Sequence, residues 1–429
     1  MFAAARHPSE VASWLEDAGS RSKAMVLDLP EEQWTMPYSP FVTPFLWELG
    51  HVTWFHERFV LREALGLAPL DKGIDDLYDS STVPHAARWD LEAFDLGRIL
   101  DWDAAVRARE TEALASGDER VAPLVALAVF HEDMHAEAFA WTRQALGLAR
   151  PEPTAELPRA DAAGLRSDTA SGDVHFEPSV VRVGSLFGFD NEALPHEVEL
   201  EAFALAKHCV DEAQFRAFVE DGGYRRDEFW CAAGKVFREQ RALEAPLYWR
   251  REDGDWRVRD FDRWRAIEAR RPMLHVSWYE ASAWCRWARR RLPTEHEWER
   301  ACKGLEGRRF PWGDEVDGRR AQTGFATKGD EALLAAPDEL ADGRSEHGLA
   351  HLIGNVWEWT ASVFEPYVGF EAGCYANYSR PFFGKRRVLR GGSWATTQRM
   401  LSSSMRNFFE PERCDVFAGF RTCALEGAG

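Results

Sequence analysis

From about Ser9 to Leu146 apolar residues return every three or four positions, the spacing of one helix face, in segments at about 9–28, 43–65, 91–116 and 119–146. Thr43-Pro44 suits the start of the second segment, with Thr as cap and Pro in the first turn, and Ser116-Gly117-Asp118 divides the third from the fourth. Four such segments predict an antiparallel helical bundle. The link 75–89, between the second and third, is long and carries aromatics, which predicts an ordered, functional loop. From 148 to 175 the period disappears, so a linker is expected. Beyond it, Val181-Arg182-Val183, Glu197-Val198-Glu199-Leu200 and Arg387-Val388-Leu389-Arg390 alternate as strands do, with Gly-rich turns between them and helices at about 210–221, 278–290 and 294–304. The pattern predicts an α+β chain: a helical domain at 1–147, a linker at 148–175 and an irregular mixed domain at 176–429.

A length of 429 residues exceeds what one ordinary core holds, which agrees with two domains. With 45% hydrophobic and 29% charged residues the composition is that of a soluble globular protein, and 19 Trp point to a fold with characteristic Trp positions. Met1-Phe2-Ala3-Ala4-Ala5-Arg6 lacks the apolar core of a signal peptide, and no run of about 18 apolar residues is present, so membrane insertion is not expected and a cytoplasmic location is the default. A net charge of −19 argues against a nucleic-acid partner. Seven scattered cysteines without a CxxC pair read as reduced structural thiols.

The longest apolar run holds the candidate chemistry. In Phe130-His131-Glu132-Asp133-Met134-His135 two histidines stand one helical turn apart, so their imidazoles can converge on one metal ion. Leu124, Ala128, His131, His135, Ala138 and Phe139 share a stripe, which puts both rings on the buried seam. Two readings are open for such a pair: core histidines satisfied by carbonyls, or metal ligands. His51 tips the balance, because it lies on another apolar helix with Trp47 and Phe55 one turn to either side. Three histidines facing a bundle interior make a metal site with open coordination positions. His85 in the long loop is either a fourth ligand or a surface residue.

Five motifs in the second half carry a resemblance. Leu292-Pro293-Thr294-Glu295-His296-Glu297-Trp298-Glu299, Pro311-Trp312-Gly313-Asp314, Gly354-Asn355-Val356-Trp357-Glu358-Trp359, Arg390-Gly391-Gly392-Ser393-Trp394 and Ala418-Gly419-Phe420-Arg421 occur in the order seen in the formylglycine-generating-enzyme fold, a C-type-lectin-like module, over about 175–425. The first domain resembles a DinB-like four-helix bundle, a fold that commonly carries three metal-binding histidines. A DinB-like bundle fused to this module is the architecture of the nonheme-iron sulfoxide synthases of ergothioneine biosynthesis, and Leu49-Gly50-His51 and His131-Glu132-x-x-His135 resemble that family's ligand motifs. Within the family the chain looks like the selenoneine synthases, through Leu77-Tyr78-Asp79-Ser80-Ser81, Arg88-Trp89-Asp90-Leu91, Arg406-Asn407-Phe408-Phe409 and Phe420-Arg421-Thr422-Cys423.

The resemblance implies Fe(II) on His51, His131 and His135, and O2-dependent joining of a chalcogen donor, a selenosugar or a thiol, to C2 of the imidazole of hercynine (N-α-trimethylhistidine). It leaves room for structural calcium in the second domain. Relatives that use γ-glutamylcysteine hold two carboxylates with more than one loop Arg, whereas the corresponding stretch here keeps only Arg88, so a neutral sugar or smaller thiol fits better. The quaternary ammonium of hercynine is best held by aromatic faces, and Asn407, Phe408 and Phe409 match that pocket. Asp415 either adds negative charge there or faces water. Tyr78, Arg88 and Met134 complete the substrate-binding candidates, with Met134 standing where the sulfur enzymes often carry Gln. Tyr375 and Tyr378 are both candidates for the family's proton or hydrogen donor.

Competing functions share these residues. His131-Glu132-Asp133-Met134-His135 satisfies the zincin H-E-x-x-H pattern, in which Glu132 would be a general base. A DinB-type thiol transferase and a lectin-like binding module are two more. Formylglycine generation is disfavoured, because Cys423 falls after the Gly-Phe-Arg motif.

Overall fold

The computed structural model describes residues 7–34, 36–152, 172–326 and 332–425, and the chain forms two compact units, Met1–Thr154 and Ala155–Gly429. Most of the linker expected at 148–175 lies outside the described residues.

The first unit is a bundle of α1 (Pro8–Leu27), α2 (Phe45–His56), the short α3 (Ile74–Tyr78), α4 (Leu96–Ala115) and α5 (Val121–Leu146). Past His56, α2 continues in wider π-type turns over Glu57–Ala64. Two helix starts differ from expectation. Thr43 makes no cap, since Pro44 stands at that position without a side-chain bond and the Thr43 hydroxyl accepts from Arg88 Nη1 at 3.3 Å. The third expected helix begins at Leu96 rather than about 91, where the Asp95 carboxylate accepts from the Arg98 N–H at 2.8 Å. Gly147, left-handed at φ +69, ends α5. The single stripe expected on α5 proves too narrow. Val125 through Asp133 are all buried, because α5 packs against α1, α2 and α4 at once.

The second unit carries α6 (Glu212–Glu220), α7 (Ala232–Gln240), α8 (Trp278–Trp287) and α9 (Glu295–Lys303). Its strands are β1 (Asp173–Phe176), β2 (Ser179–Val183), β3 (His196–Leu200), β4 (Phe203–Ala206), β5 (Trp249–Glu252), β6 (Asp255–Asp260), β7 (Arg263–Ala266), β8 (Arg290–Arg291), β9 (Trp357–Val363), β10 (Arg387–Arg390), β11 (Asn407–Phe409), β12 (Ala418–Gly419) and β13 (Cys423–Ala424). They pair in the orders β1-β4-β13-β8, β11-β10-β9-β12, β2-β3 and β5-β6-β7. Helices α6, α8 and α9 each start in a capping box, Asp211/Gln214, Ser277/Glu280 and Thr294/Glu297.

The sequence motifs meet in this unit's core through buried ion pairs. Arg390 of the RGGSW motif pairs with Glu299 on α9, and Arg421 of the GFR motif donates to Glu358 of the WEW motif at 2.6 Å. Trp298 Nε1 donates to the same Glu358 at 2.8 Å. Gly391, at φ +95, lies so close to the chain that a Cβ would come within 2.6 Å of the Leu352 carbonyl, so the glycine is dictated by both conformation and space. Among the described residues no helix is long and apolar enough to cross a membrane.

Candidate metal centre

His51 on α2 and His131 and His135 on α5 bring their ligand nitrogens within 4.8 Å of one another. Among the described residues this is the one group of three His, Cys, Asp or Glu side chains that gathers in this way. His51 and His131 are buried, and His135 is partly open.

Each ring is held. The His51 ring lies nearly parallel to Trp47 and to Trp54, at 5.2 and 5.6 Å between centroids, and His131 lies flat on Phe55 at 3.6 Å. Nδ1 of His51 donates to the Tyr78 carbonyl at 2.7 Å, and Nδ1 of His135 meets Glu48 Oε1 at 2.7 Å. With Nδ1 engaged, each of these imidazoles has Nε2 left to offer as ligand. Burial, reinforced by the neighbouring His135, pushes His51 and His131 well below the ordinary histidine range, and burial with the Arg88 charge takes His135 down to about 3. All three are therefore neutral near pH 7, the form a metal requires. Three nitrogen donors without a thiolate fit Fe(II) and leave coordination positions open.

The residues around the triad divide clearly. Tyr78 is fully buried under α2, where a Cβ on Gly50 would come within 2.2 Å of its ring, and its phenol oxygen accepts from the Phe94 N–H at 2.9 Å. Its link to the centre runs through its main-chain carbonyl, a role sequence reasoning did not anticipate. Arg88 spreads over the Trp47 ring at 4.0 Å, and Met134 is half-buried between the two α5 histidines. His85 stands apart from the triad: its Nε2 is bound to the Ser39 carbonyl at 2.8 Å, and its ring packs with Trp89.

Glu132 points into a buried charge network instead of standing free as a base. Its carboxylate accepts from Arg107 at 2.7 Å and from His56 Nε2 at 3.2 Å, and His56 Nδ1 donates to Glu110 at 2.9 Å. Burial alone would raise the Glu132 carboxyl, but Arg107 and His56 hold it far below the usual range. Burial likewise opposes charge on His56, yet Glu110 and Glu132 outweigh it and push His56 up to about 9. A carboxylate bound on both oxygens in this way does not fit the zincin base role. His56 and Glu110 escaped sequence reasoning because they are distant in the chain, and Glu48 escaped because it reads as one acid in an apolar helix.

In the second unit, β11 presents its candidates to opposite faces. Phe408 turns inward, stacked on Phe364 at 3.8 Å in a cluster with Val388, Tyr378, Phe382 and Phe383. Asn407 and Phe409 occupy the other face, half-buried, and Arg413 lies 5.1 Å over the Phe409 ring. Asp415 does not face water: it is buried and receives two 2.7 Å bonds from Arg413. Tyr375 and Tyr378 rings lie 5.7 Å apart, and Tyr378 also packs on Phe189 at 4.2 Å. Cys414 and Cys423 are buried and not bonded to each other, and burial pushes the Cys423 thiol up to about 12, so neither is a ready nucleophile. No carboxylate cluster gathers among the described residues of this unit to hold structural calcium.

The chain matches the Sulfatase-modifying factor enzyme 1-like domain over residues 166–425 and the DinB superfamily over residues 15–139. It is 35% identical over 432 residues to a hercynine oxygenase of Mycolicibacterium thermoresistibile, covering 97% of this chain and 94% of that protein. The identity to a hercynine oxygenase of Mycobacterium tuberculosis is also 35%, over 427 residues that cover 96% of this chain and 98% of that protein. A formylglycine-generating enzyme of Streptomyces coelicolor is 33% identical over 277 residues, 58% of this chain and 86% of that protein.

Proposed function

Since this chain belongs to the hercynine oxygenase family, the ergothioneine-type sulfoxide synthases, we propose that it is a nonheme Fe(II) enzyme joining a selenosugar to C2 of the hercynine imidazole at the expense of O2. The observation that carries the metal-dependent reading is the convergence of three neutral imidazoles within 4.8 Å.

When bound, Fe(II) supplies the one-electron chemistry that lets O2 oxidise the chalcogen and the imidazole together. His51, His131 and His135 would hold it. The remaining work of the chain is orientation and exclusion of water. Trp47, Trp54 and Phe55 pack the histidine rings in fixed planes and keep solvent from two of them. Asn407 and Phe409, on the half-buried face of β11, are assigned to hercynine, with Phe408 backing them from the core. A trimethylammonium cannot donate a hydrogen bond, so an aromatic face with the Asn amide near it suits that ligand. Tyr375 and Tyr378 are assigned to proton donation. Burial and the acids Glu192 and Asp190 push the Tyr378 hydroxyl well above the phenol range, so it keeps its proton at neutral pH.

The choice of a sugar donor rests on charge. In the stretch 75–89 the only guanidinium is Arg88, already spread on Trp47 and bonded to Thr43, with the Glu48 carboxyl in its field. A donor with two carboxylates would be left short of cationic partners, which costs several kcal/mol once buried. A neutral sugar carrying selenium or sulfur avoids that cost.

The test is anaerobic reconstitution with Fe(II) and hercynine, then air in the presence of competing selenoglucose, thioglucose, cysteine and γ-glutamylcysteine. Coupling of the selenosugar first is the expected result. Exclusive coupling of γ-glutamylcysteine removes the donor assignment and leaves the reaction class, and no O2 uptake with any donor removes the reaction class.

A further inference from the structure

Glu48 is an unusual residue to find where it is. It is 4% exposed, in a helix turn otherwise made of Phe45, Leu46, Trp47 and Leu49. Oε1 meets His135 Nδ1 at 2.7 Å, and Oε2 is buried without a hydrogen bond among the described residues. Among the described residues Arg88 donates to Thr43 and forms no ion pair with Glu48. A buried carboxyl with one polar partner is an expensive substitute for a leucine.

We propose that Glu48 is the positioning residue of the metal centre: it fixes the His135 ring with Nε2 turned toward His51 and His131, and its negative charge makes His135 a stronger donor than His51. The contrast is built into the same helix. His51 has its Nδ1 held by a neutral carbonyl, that of Tyr78, at the same 2.7 Å at which His135 has a carboxylate. A carboxylate behind an imidazole favours positive charge on the far nitrogen's side, so the contact is worth most when a dication sits there. This inference rests on the metal-centre reading above and adds to it an ordering of the three ligands.

The test uses Co(II), and Fe(II) under anaerobic conditions, titrated into the metal-free full chain of wild type, Glu48→Gln, His135→Ala and the double variant, with the visible Co(II) spectrum as a second readout. Gln keeps an oxygen acceptor of the same reach and removes the charge, so the metal-free Tm should stay close to that of wild type. Glu48→Gln is expected to weaken metal affinity about 10- to 100-fold and to shift the Co(II) bands. In the His135→Ala background, where the residual Co(II) affinity of His51 and His131 is read at higher metal concentration, the same change should have no further effect. If Glu48→Gln lowers the metal-free Tm enough to obscure the titration, Glu48→Met, which removes the charge and suits the apolar surroundings, takes its place with the same expectation. Affinity within twofold of wild type, or an equal loss with and without His135, overturns the inference. A wild-type chain that binds neither ion overturns the metal centre itself and this inference with it.

Discussion

The fold of the first unit depends on the protonation of His56. It sits fully buried between Glu110 and Glu132, at 2.9 and 3.2 Å, with both ring nitrogens engaged by carboxylates, which requires the imidazolium. Its upward shift to about 9, against an ordinary 6.5, converts to about 3 kcal/mol in favour of the folded chain. The sign follows from the direction: a raised pKa means the contribution is complete below about pH 6.5 and is lost as the pH climbs through about 9. In a unit of this size that corresponds to a fall of roughly 6–12 °C in Tm. Buried cysteine thiols lose stability over the same range, so the quantity to measure is the difference between wild type and His56→Gln. At pH 6.5 the variant should be less stable by about 3–5 kcal/mol, because Glu110 and Glu132 then lose the imidazolium between them and Arg107 bonds only Glu132. By pH 9.5 that gap should shrink by about 3 kcal/mol. The assay is chemical denaturation of the metal-free protein, followed by helical circular dichroism at a series of pH values. A gap that does not change between pH 6.5 and 9.5 would show that His56 carries no charge, and the reasoning would fail.

Gly50→Ala places a methyl within 2.2 Å of the Tyr78 ring and should cost about 1–3 kcal/mol, with a parallel loss of Co(II) affinity because the Tyr78 carbonyl orients His51; calorimetry and metal titration check the two together. Phe408→Ala and Phe409→Ala should separate two roles: the first a stability loss of about 3–5 kcal/mol from the core cluster, the second a weakening of hercynine binding by about 1–2 kcal/mol with little change in Tm, read by isothermal titration. Arg421→Met leaves Glu358 buried without its cation and should destabilise the second unit by about 3–5 kcal/mol, seen as an early unfolding transition.

Much of this was legible in the chain. The bundle could be read because its helices are long and their apolar period is regular. The second unit could be read because its motifs are the partners of one buried ion-pair core: Arg390 needs Glu299 and Arg421 needs Glu358, so the residue types come together in the sequence. The three metal-ligating candidates followed from spacing and apolar context, and they do converge. What was missed depends on direction or long-range pairing. The β5-β6-β7 meander was overlooked because its strands are dense in Arg, although Asp253-Gly254, both at positive φ between β5 and β6, is a hairpin signal. Which of Phe408 and Phe409 faces the core is set by the register of β11 on β10, which pairs Phe408 with Val388. Glu48 and His56 have no local signature, because their partners lie 87 and 54 or 76 residues away.

The proposed chemistry requires that His51, His131 and His135 together hold a single Fe(II). The direct measurement is anaerobic equilibrium dialysis of the full chain against Fe(II), with metal and protein quantified, for wild type and for His51→Ala, His131→Ala and His135→Ala. One iron per chain in the wild type, and its loss in each variant whose circular dichroism is unchanged, is the predicted result. Stoichiometric iron retained after any two of the three histidines are removed in turn, or none bound by the wild type, would contradict it.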